Sequence, residues 1–435
     1  EGAAFVWHGS ASGLGDTGIP ANADWTAEAD RSDTFLGRSV ATAGDVNGDG
    51  YADVIVGADY RYLGWVYGAV YVWNGSASGL GGDGTLASAD WAAESDQADA
   101  WFGSSVGTAG DVNGDGYADV IVGADQYSDG ETWEGAAFVW YGSVWGLGPD
   151  GTLYNADWSA EGDQPYAGFG TSVGTAGDVN HDGCADVIVG AYLYGMAGWE
   201  GSEGAAFVWY GSASGLGDDG VPGNADWHAE GDQGDPHFGR SVGTAGDVNG
   251  DGYADVIVGA DDYDYGYASG GAAFVYHGSL TGLSASPWAV QGDQDEAHLG
   301  SSVATAGDVN GDGYADVIVG ADEYDHGQAN EGRAFVWYGS ASGLDPAPYW
   351  TVESNQATAH FGTAVATAGD VNGDGYADVI VGADDYDGGQ TQEGAAFVYH
   401  GSEFGLYLVA SWSAEGEQEY AHFGRSVGTA GDVNG

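Results

Sequence analysis

The 435-residue sequence predicts an all-β fold: a seven-bladed β-propeller of four-stranded antiparallel blades, with N- and C-terminal strands sharing one blade. Three observations predict it: a near-identical segment that recurs along the chain, the spacing of its copies, and four short strand-like stretches in every period. The segment Ala43-Gly44-Asp45-Val46-Asn47-Gly48-Asp49-Gly50-Tyr51-Ala52-Asp53-Val54-Ile55-Val56-Gly57-Ala58 returns with its first aspartate at Asp111, Asp178, Asp247, Asp308 and Asp370, and a seventh copy breaks off at Asp432-Val433-Asn434-Gly435. Successive starts differ by 66, 67, 69, 61, 62 and 62 residues. That period is too long for a solenoid coil and suits a propeller blade with generous loops.

Within a period, the first stretch, such as Ser39-Val40-Ala41-Thr42-Ala43, is built of small residues, as an innermost strand crowded about a central axis requires. The second, Ala52-Asp53-Val54-Ile55-Val56-Gly57, is a β-branched run suited to a strand covered on both faces. The third, Gly135-Ala136-Ala137-Phe138-Val139-Trp140-Tyr141-Gly142, and the fourth, Ala156-Asp157-Trp158-Ser159-Ala160-Glu161, carry the aromatics expected in the wider outer part of a blade. Helical periodicity is absent from the sequence pattern.

Counting the copies predicts how the ring closes. The third pattern occurs seven times, at Phe5, Tyr71, Phe138, Phe207, Phe274, Phe335 and Phe397; the first also occurs seven times, ending with Val427; the second occurs six times. The expectation is one domain over 1–435, with one blade shared by 1–30 and 422–435 and six further blades starting near 35, 101, 168, 237, 298 and 360. Such a clasp joins the chain ends and removes exposed sheet edges. For the seventh second strand, two expectations stand: the native chain continues past Gly435, or a neighbouring molecule donates the strand and the protein is a filament subunit.

Charge excludes several function classes. Against 67 acidic residues stand six arginines and no lysine, a formal net charge of −61. Nucleic acid and anionic membrane require a basic surface and are excluded as partners, and no apolar run approaches the length of a membrane span. Cys184 is the only cysteine, so no intrachain disulfide forms, and nothing in its sequence surroundings lowers the thiol pKa as a nucleophile requires.

The acidic residues are organised. Asp45, Asn47, Asp49 and Asp53 stand at positions 1, 3, 5 and 9 of a loop with Gly50 at position 6, an alternation that points several oxygens at one centre. A hard cation needs that arrangement; calcium takes six to eight oxygens, the main-chain carbonyl of Tyr51 at position 7 supplying another. The set recurs as Asp111, Asn113, Asp115, Tyr117 and Asp119; Asp178, Asn180, Asp182, Cys184 and Asp186; Asp247, Asn249, Asp251, Tyr253 and Asp255; Asp308, Asn310, Asp312, Tyr314 and Asp316; and Asp370, Asn372, Asp374, Tyr376 and Asp378, with Asp432 and Asn434 beginning a seventh. About six calcium ions are therefore expected, and a seventh if the last loop is completed. The absence of clustered histidine or thiolate in the loops argues against zinc and copper, and Val56 at position 12 rejects an EF-hand. An Asx-rich turn alone needs no such carboxylate set at fixed spacing. Six divalent ions bring the formal charge from −61 to −49, so most of the acidity serves another purpose, such as a solubilising coat.

Phe102-Gly103 before the first strand, Asp111-Val112-Asn113-Gly114-Asp115-Gly116-Tyr117-Ala118-Asp119 in the loop, and Gly123-Ala124 after the second strand together resemble the FG-GAP repeat of integrin α-subunit propellers and their bacterial relatives. The resemblance covers nearly the whole chain and implies a seven-bladed propeller, calcium in the loops joining first and second strands, and ligand recognition by the opposite face. The sequence departs from that family in having Asp59, Asp125 or Tyr192 where the final proline stands, and Leu36-Gly37 and Leu299-Gly300 in two copies. The near-identity of the copies resembles bacterial surface-protein arrays.

Two further features bear on function. His237, His298, His360 and His422 precede the Phe-Gly or Leu-Gly element at a phase held by Phe35, Trp101 and Gly168 elsewhere, a repetition that suggests a structural role. His181, inside the third loop, falls at a non-ligand position and is read as a solvated side chain. Specificity is expected in the variable stretches between second and third strands, Asp59 to Trp65, Asp125 to Trp133, Tyr192 to Glu203, Asp261 to Ser269, Asp322 to Asn330 and Asp384 to Gln392, where Tyr192, Tyr194, Met196 and Trp199 suggest an apolar contact patch. No Ser/His/Asp set, paired-carboxylate motif outside the loops or phosphate cradle is present, so the expectation is no enzyme. The sequence is read as a calcium-binding extracellular protein, secreted or at the cell surface, acting in adhesion, recognition or a matrix through a protein or glycan ligand, with self-association or a lectin or enzyme site in the central funnel as alternatives.

Overall fold

The computed structural model describes all residues except 1, 16, 30–33, 59, 60, 63, 64, 67, 83 and 196–200. Among the described residues, six four-stranded antiparallel blades follow one another along the chain. The second, for example, comprises Phe102–Gly110, Asp119–Ala124, Ala136–Trp140 and Trp158–Glu161, paired in that order from the axis outward. The short parallel strand Gly151–Thr152 extends the first blade by pairing with Trp91–Glu94.

The β-branched runs become the second strands, which are wholly buried in five blades. Their expected start moves by one residue, to Asp53–Ala58 and its equivalents. The first strands reach further back than the small-residue stretch predicted, to Leu36–Gly44 in the first blade, because the Phe-Gly or Leu-Gly element itself pairs beyond a bulge. Glycine is required where the blades meet. A Cβ on Gly123, near the end of a second strand, would land on the carbonyl oxygen of Gly170 in the next blade. Four 3-10 turns, Pro20–Asn22, Leu86–Ser88, Leu153–Asn155 and Pro222–Asn224, precede fourth strands and carry no signal in the hydrophobic pattern.

Neighbouring blades are joined by three repeated contacts. The fourth-strand tryptophan packs edge-on against the third-strand tryptophan or tyrosine of the following blade, as in Trp91–Trp140 at 5.3 Å and Trp350–Tyr399 at 5.0 Å. On the loop face, the N–H of Ser143 donates to Val46 O, and that of Ala118 donates to Asp45 O. Near the axis, Val173 N donates to Ser105 Oγ at 3.1 Å and Val242 N to Ser172 Oγ at 3.0 Å.

The expected seven-bladed ring of four-stranded antiparallel blades is met in part: among the described residues six blades form rather than seven, and the seventh position holds separate pieces. The strands Ala3–Val6 and Trp25–Glu28 make a two-stranded sheet. Residues 422–435 lie at the same position, where Phe423 meets Phe5 at 5.8 Å, yet they form no strand and do not pair with that sheet. The physical reason is the absent second strand, which in other blades carries every hydrogen bond between first and third. Ile380 reports the same gap, being half-buried where its counterparts Ile55, Ile121, Ile188, Ile257 and Ile318 are fully enclosed. The inter-blade contacts nevertheless run right round the ring: Trp412 packs on Trp7 and Trp25 on Trp73, Ser10 N donates to Val371 O, Ser76 N donates to Val433 O, and Val40 N donates to Ser426 Oγ at 3.1 Å.

Gly123→Ala is expected to lower stability by roughly 1–3 kcal/mol, because backbone of the adjacent blade must move to admit the methyl. Gly223→Ala, where an added Cβ meets nothing within 4 Å, is expected to be close to neutral. Urea unfolding of both variants provides the check; equal losses would show that the Gly123 contact does not limit blade spacing.

Candidate metal centres

Strand direction divides the functional residues between two faces. Each first strand delivers the chain to an acidic loop, and the second strand carries it back to the opposite face, where the variable loop and the residue before the next Phe-Gly lie together.

In the first loop, Asp45 Oδ1 accepts the N–H groups of Gly48 and Asp49 at 2.7 and 3.0 Å, and Oδ2 accepts that of Gly50 at 2.8 Å. Asn47 Oδ1 accepts from Asp49 N and Asp49 Oδ1 from Tyr51 N, so each donor side chain is held by the backbone it encircles. Equivalent bonds hold Asp111, Asn113 and Asp115; Asp178, Asn180 and Asp182; Asp247, Asn249 and Asp251; Asp308, Asn310 and Asp312; and Asp370, Asn372 and Asp374. In the seventh copy Asp432 Oδ1 accepts Gly435 N at 2.7 Å, the same opening contact. Positive φ at Gly50 (91°) lets the loop turn here at no steric cost.

The position-9 aspartates, expected as ligands with the others, sit deeper. Asp53 is fully buried, with Oδ2 accepting Val46 N and Oδ1 accepting Gly75 N, both at 2.8 Å. Asp119, Asp186, Asp255, Asp316 and Asp378 make the same pair of bonds. Each therefore ties its own loop to the end of its third strand. Burial, reinforced by the charges of positions 1 and 5 and only partly offset by the two N–H donors, pushes the carboxyls of Asp53, Asp119, Asp186 and Asp316 up to about 7. A bound cation acts in the opposite direction. The donor set, three carboxylates and an amide oxygen around a glycine turn, fits an oxygen-binding hard cation.

Successive loops also touch. The ring of Tyr117 lies against Gly48 of the preceding loop, Tyr314 against Gly250, Tyr376 against Gly311 and Tyr51 against Gly435. Cys184 takes this place beside Gly114 with its buried sulfur. His181 follows the same rule from the other side: its ring packs on Tyr253 at 5.7 Å, a loop-to-loop contact where the sequence suggested a solvated side chain.

The opposite face carries an arrangement that the sequence pattern only half revealed. Residues Phe35, Trp101, Gly168, His237, His298, His360 and His422 all share the same left-handed backbone, with φ between 47° and 62°. The histidines meet acid pairs that directly follow the second strands. His237 Nδ1 lies 3.2 Å from Asp261 Oδ1 and 3.0 Å from Asp262 Oδ2; His298 bridges blades, with Nε2 3.6 Å from Asp262 and Nδ1 3.8 Å from Glu323; His360 faces Asp384 and Asp385. The missed signal was co-occurrence: the complete repeats with histidine at this phase are those with Asp-Asp or Asp-Glu after the second strand. Gly168 fits the same coupling, since Tyr192 fills the space its side chain would need.

The expected apolar patch on the third variable loop is not formed by its described part. Tyr194 packs on Phe207 at 5.1 Å, and Tyr192 stacks beneath the Arg240 guanidinium at 5.2 Å and against His237. Met196 and Trp199 lie outside the described residues, as do Asp59 and Tyr60 of the first variable loop. Large exposed apolar side chains lie on both faces: Trp133, Tyr265 and Tyr267 in other variable loops, and Trp145, Phe404 and Leu408 after third strands on the acidic-loop face.

A ring of four-stranded blades, each with a Phe-Gly or Leu-Gly entry, an acidic loop and a Gly-Ala exit, defines a β-propeller of repeated acidic-loop blades. The family model for the FG-GAP repeat matches residues 36–73, 102–140, 169–209, 238–276, 299–337 and 361–399, and the chain belongs to that family. It is 32% identical over 200 residues to phosphatidylinositol-glycan-specific phospholipase D of Mus musculus (42% of this chain, 24% of that protein). It is 38% identical over 154 residues to integrin alpha pat-2 of Caenorhabditis briggsae (32% and 12%), and 35% identical over 161 residues to integrin alpha-IIb of Mus musculus (35% and 15%). These matches span less than a quarter of each relative's length. The solved structure titled "Structure of Dos1 propeller" covers 89% of this chain and 74% of its own at 10% identity, with a TM-score of 0.45. The relatives thus include both an enzyme and integrins. Among the described residues no helix is long and apolar enough to cross a membrane.

The bonds from His237 to Asp261 and Asp262 raise its imidazole to about 9, against an ordinary value of 6.5, despite partial burial. Protonated His237 therefore adds stability that is complete below about pH 6.5 and is lost as pH rises through about 9. Arg240, 3.9 Å from Asp261, faces the same pair. Unfolding free energies measured from pH 6 to 10 should fall more for the native protein than for His237→Asn; parallel pH profiles would overturn the assignment.

Proposed function

We propose that this chain is a calcium-binding propeller that serves as a non-catalytic extracellular recognition, adhesion or matrix module, secreted or at the cell surface. The observation that carries the proposal is the sixfold repetition of one donor set, in which Asp45, Asn47 and Asp49 and their equivalents are backbone-braced above a buried carboxylate. Gathering carboxylates where burial already disfavours their charge is costly, and a divalent cation offsets that cost. The loop-to-loop contacts through Tyr51, Tyr117, Tyr314 and Tyr376 pass the ordering of one loop to the next. Such a ring is a rigid frame for the variable loops on the opposite face, where a protein or glycan ligand is proposed to bind; the names of the integrin relatives support an adhesive role.

Calorimetric titration of chelator-treated protein should show about six calcium ions per chain, and Asp115→Ala should remove one. Chelation should lower the melting temperature by roughly 10 °C, the calcium-bound state being favoured by mass action. Absence of uptake, or an unchanged melting temperature in EDTA, would overturn the calcium reading.

The half-buried Ile380 favours a second reading, a filament in which an extended segment of a neighbouring molecule packs beside the sixth blade. In each complete blade an aspartate on the second strand receives N–H groups from the loop and from the end of the third strand; Val433 and Gly9 occupy those donor positions at the seventh without such a carboxylate. A peptide of sequence Ala-Asp-Val-Ile-Val-Gly-Ala should bind the native chain and bury Ile380. Unchanged hydrogen exchange around Ile380 with excess peptide would remove this reading, and electron microscopy showing only isolated rings would remove the filament.

A further inference from the structure

The histidine and acid pairs on the face opposite the acidic loops are not all alike. At His237 the imidazole hydrogen-bonds with Asp261, and the group behaves as a satisfied ion pair. At the sixth blade the geometry differs. Asp384 and Asp385 leave the end of the second strand, and His422 comes from the left-handed turn before Phe423-Gly424. One ligand atom from each of these three side chains lies within 4.8 Å of the others, the one such group of histidine and carboxylates among the described residues.

Protein donors occupy only one side of this cluster. Arg425 Nη1 binds Asp384 Oδ2 at 3.2 Å, and Gln392 Nε2 binds Asp385 Oδ2 at 2.9 Å. The remaining atoms are enclosed yet unsatisfied: Asp384, only 6% exposed, has no hydrogen-bond partner at Oδ1, and His422 has none at Nδ1, although Nδ1 stands 2.9 Å from Asp385 Oδ1. Buried polar atoms in native proteins are normally paired, so two orphaned ligand atoms in one cluster require an explanation. His360 approaches from the neighbouring turn, with Nδ1 3.5 Å from Asp385 Oδ2 and 4.0 Å from Asp384 Oδ1.

We infer that Asp384, Asp385 and His422 form a divalent transition-metal site, distinct from the oxygen-only loops and on the other face of the ring, with His360 as the fourth candidate ligand. Imidazole with two carboxylates suits zinc or cobalt, whereas calcium takes oxygen ligands. Arg425 and Gln392 act as the outer support that orients the carboxylates. The site joins the sixth blade to the turn that leads into the seventh position, so metal there would fasten the C-terminal piece of the incomplete blade. This inference does not rest on calcium occupancy of the loops.

The test uses the whole chain in excess calcium, titrated with zinc alone and, in parallel, with cobalt followed by visible absorption. One zinc per chain should bind, and cobalt should develop a ligand-field band. His422→Ala and Asp385→Asn should each weaken zinc binding at least tenfold, with the band lost in His422→Ala, while Asp251→Asn in a calcium loop should leave zinc binding unchanged. If His422→Ala melts with the C-terminal segment undocked, His422→Gln keeps a polar side chain of similar reach and should show the same loss. No zinc uptake at calcium saturation, or uptake unaltered by His422→Gln, overturns the inference.

Discussion

The structure depends on a buried aspartate accepting two backbone N–H groups, once in every complete blade. Asp119 shows how much converges there: Val112 donates from the acidic loop and Gly142 from the end of the third strand, while Asp119 itself begins the second strand. One carboxylate therefore sets the loop, the inner hairpin and the start of the outer loop relative to each other. Hydrogen bonds to a charged group are among the stronger ones, and deleting the acceptor would strand both donors in the interior. The same burial resists ionisation. The fold thus places its main fastener where neighbouring negative charge is least welcome, and the cation proposed for the loop would relieve both constraints together.

Around this unit the ring is built from repeated neighbour contacts. Serine hydroxyls accept valine N–H groups near the axis, loop carbonyls accept serine and alanine N–H groups at one face, and tryptophans interlock further out. No one of these is strong; the aromatic and serine N–H contacts recur round the whole ring, and the serine-hydroxyl contact recurs at five boundaries, Ala364 of the sixth blade having no hydroxyl to offer. Their persistence at the seventh position, through Ser426, Val433, Trp7 and Trp25, keeps the circle closed although the sheet there is incomplete. Closure and sheet completion are consequently separate properties: side chains and loop carbonyls secure the first, and the second needs a strand.

The division of labour between faces follows from strand direction. Near-identical loops at one face perform one repeated task, whereas the opposite face is assembled from residues that change between blades. His237, His298, His360 and His422 belong to that variable face, and their meaning depends on their acid partners. Where the imidazole is hydrogen-bonded through Nδ1, as at His237, the pair is electrostatic and responds to pH. Where one enclosed atom of each group lacks a hydrogen-bond partner, as at Asp384 Oδ1 and His422 Nδ1, the same residue types are proposed to have a different capacity. Tyr192 with Arg240 and Gly168 shows a third solution at the same phase, one of packing.

Much of this molecule was determined by the sequence alone, because the repeat reports local chemistry. The β-branched runs specify strands covered on both faces, the Asp-x-Asn-x-Asp-Gly spacing specifies a tight oxygen-lined turn, and six near-identical copies specify blades. Tertiary structure alone decided what depends on neighbours distant in the chain. It turned Asp53 and its equivalents inward as braces, joined His422 to Asp384 and Asp385, packed the half-buried Tyr194 on Phe207, and left the seventh position without a complete sheet. The physical reason is that spacing encodes what lies within hydrogen-bond reach along one strand or turn. Which side chains face each other across a blade boundary is set by how the rings of contacts close, and that information is held by the whole circle at once.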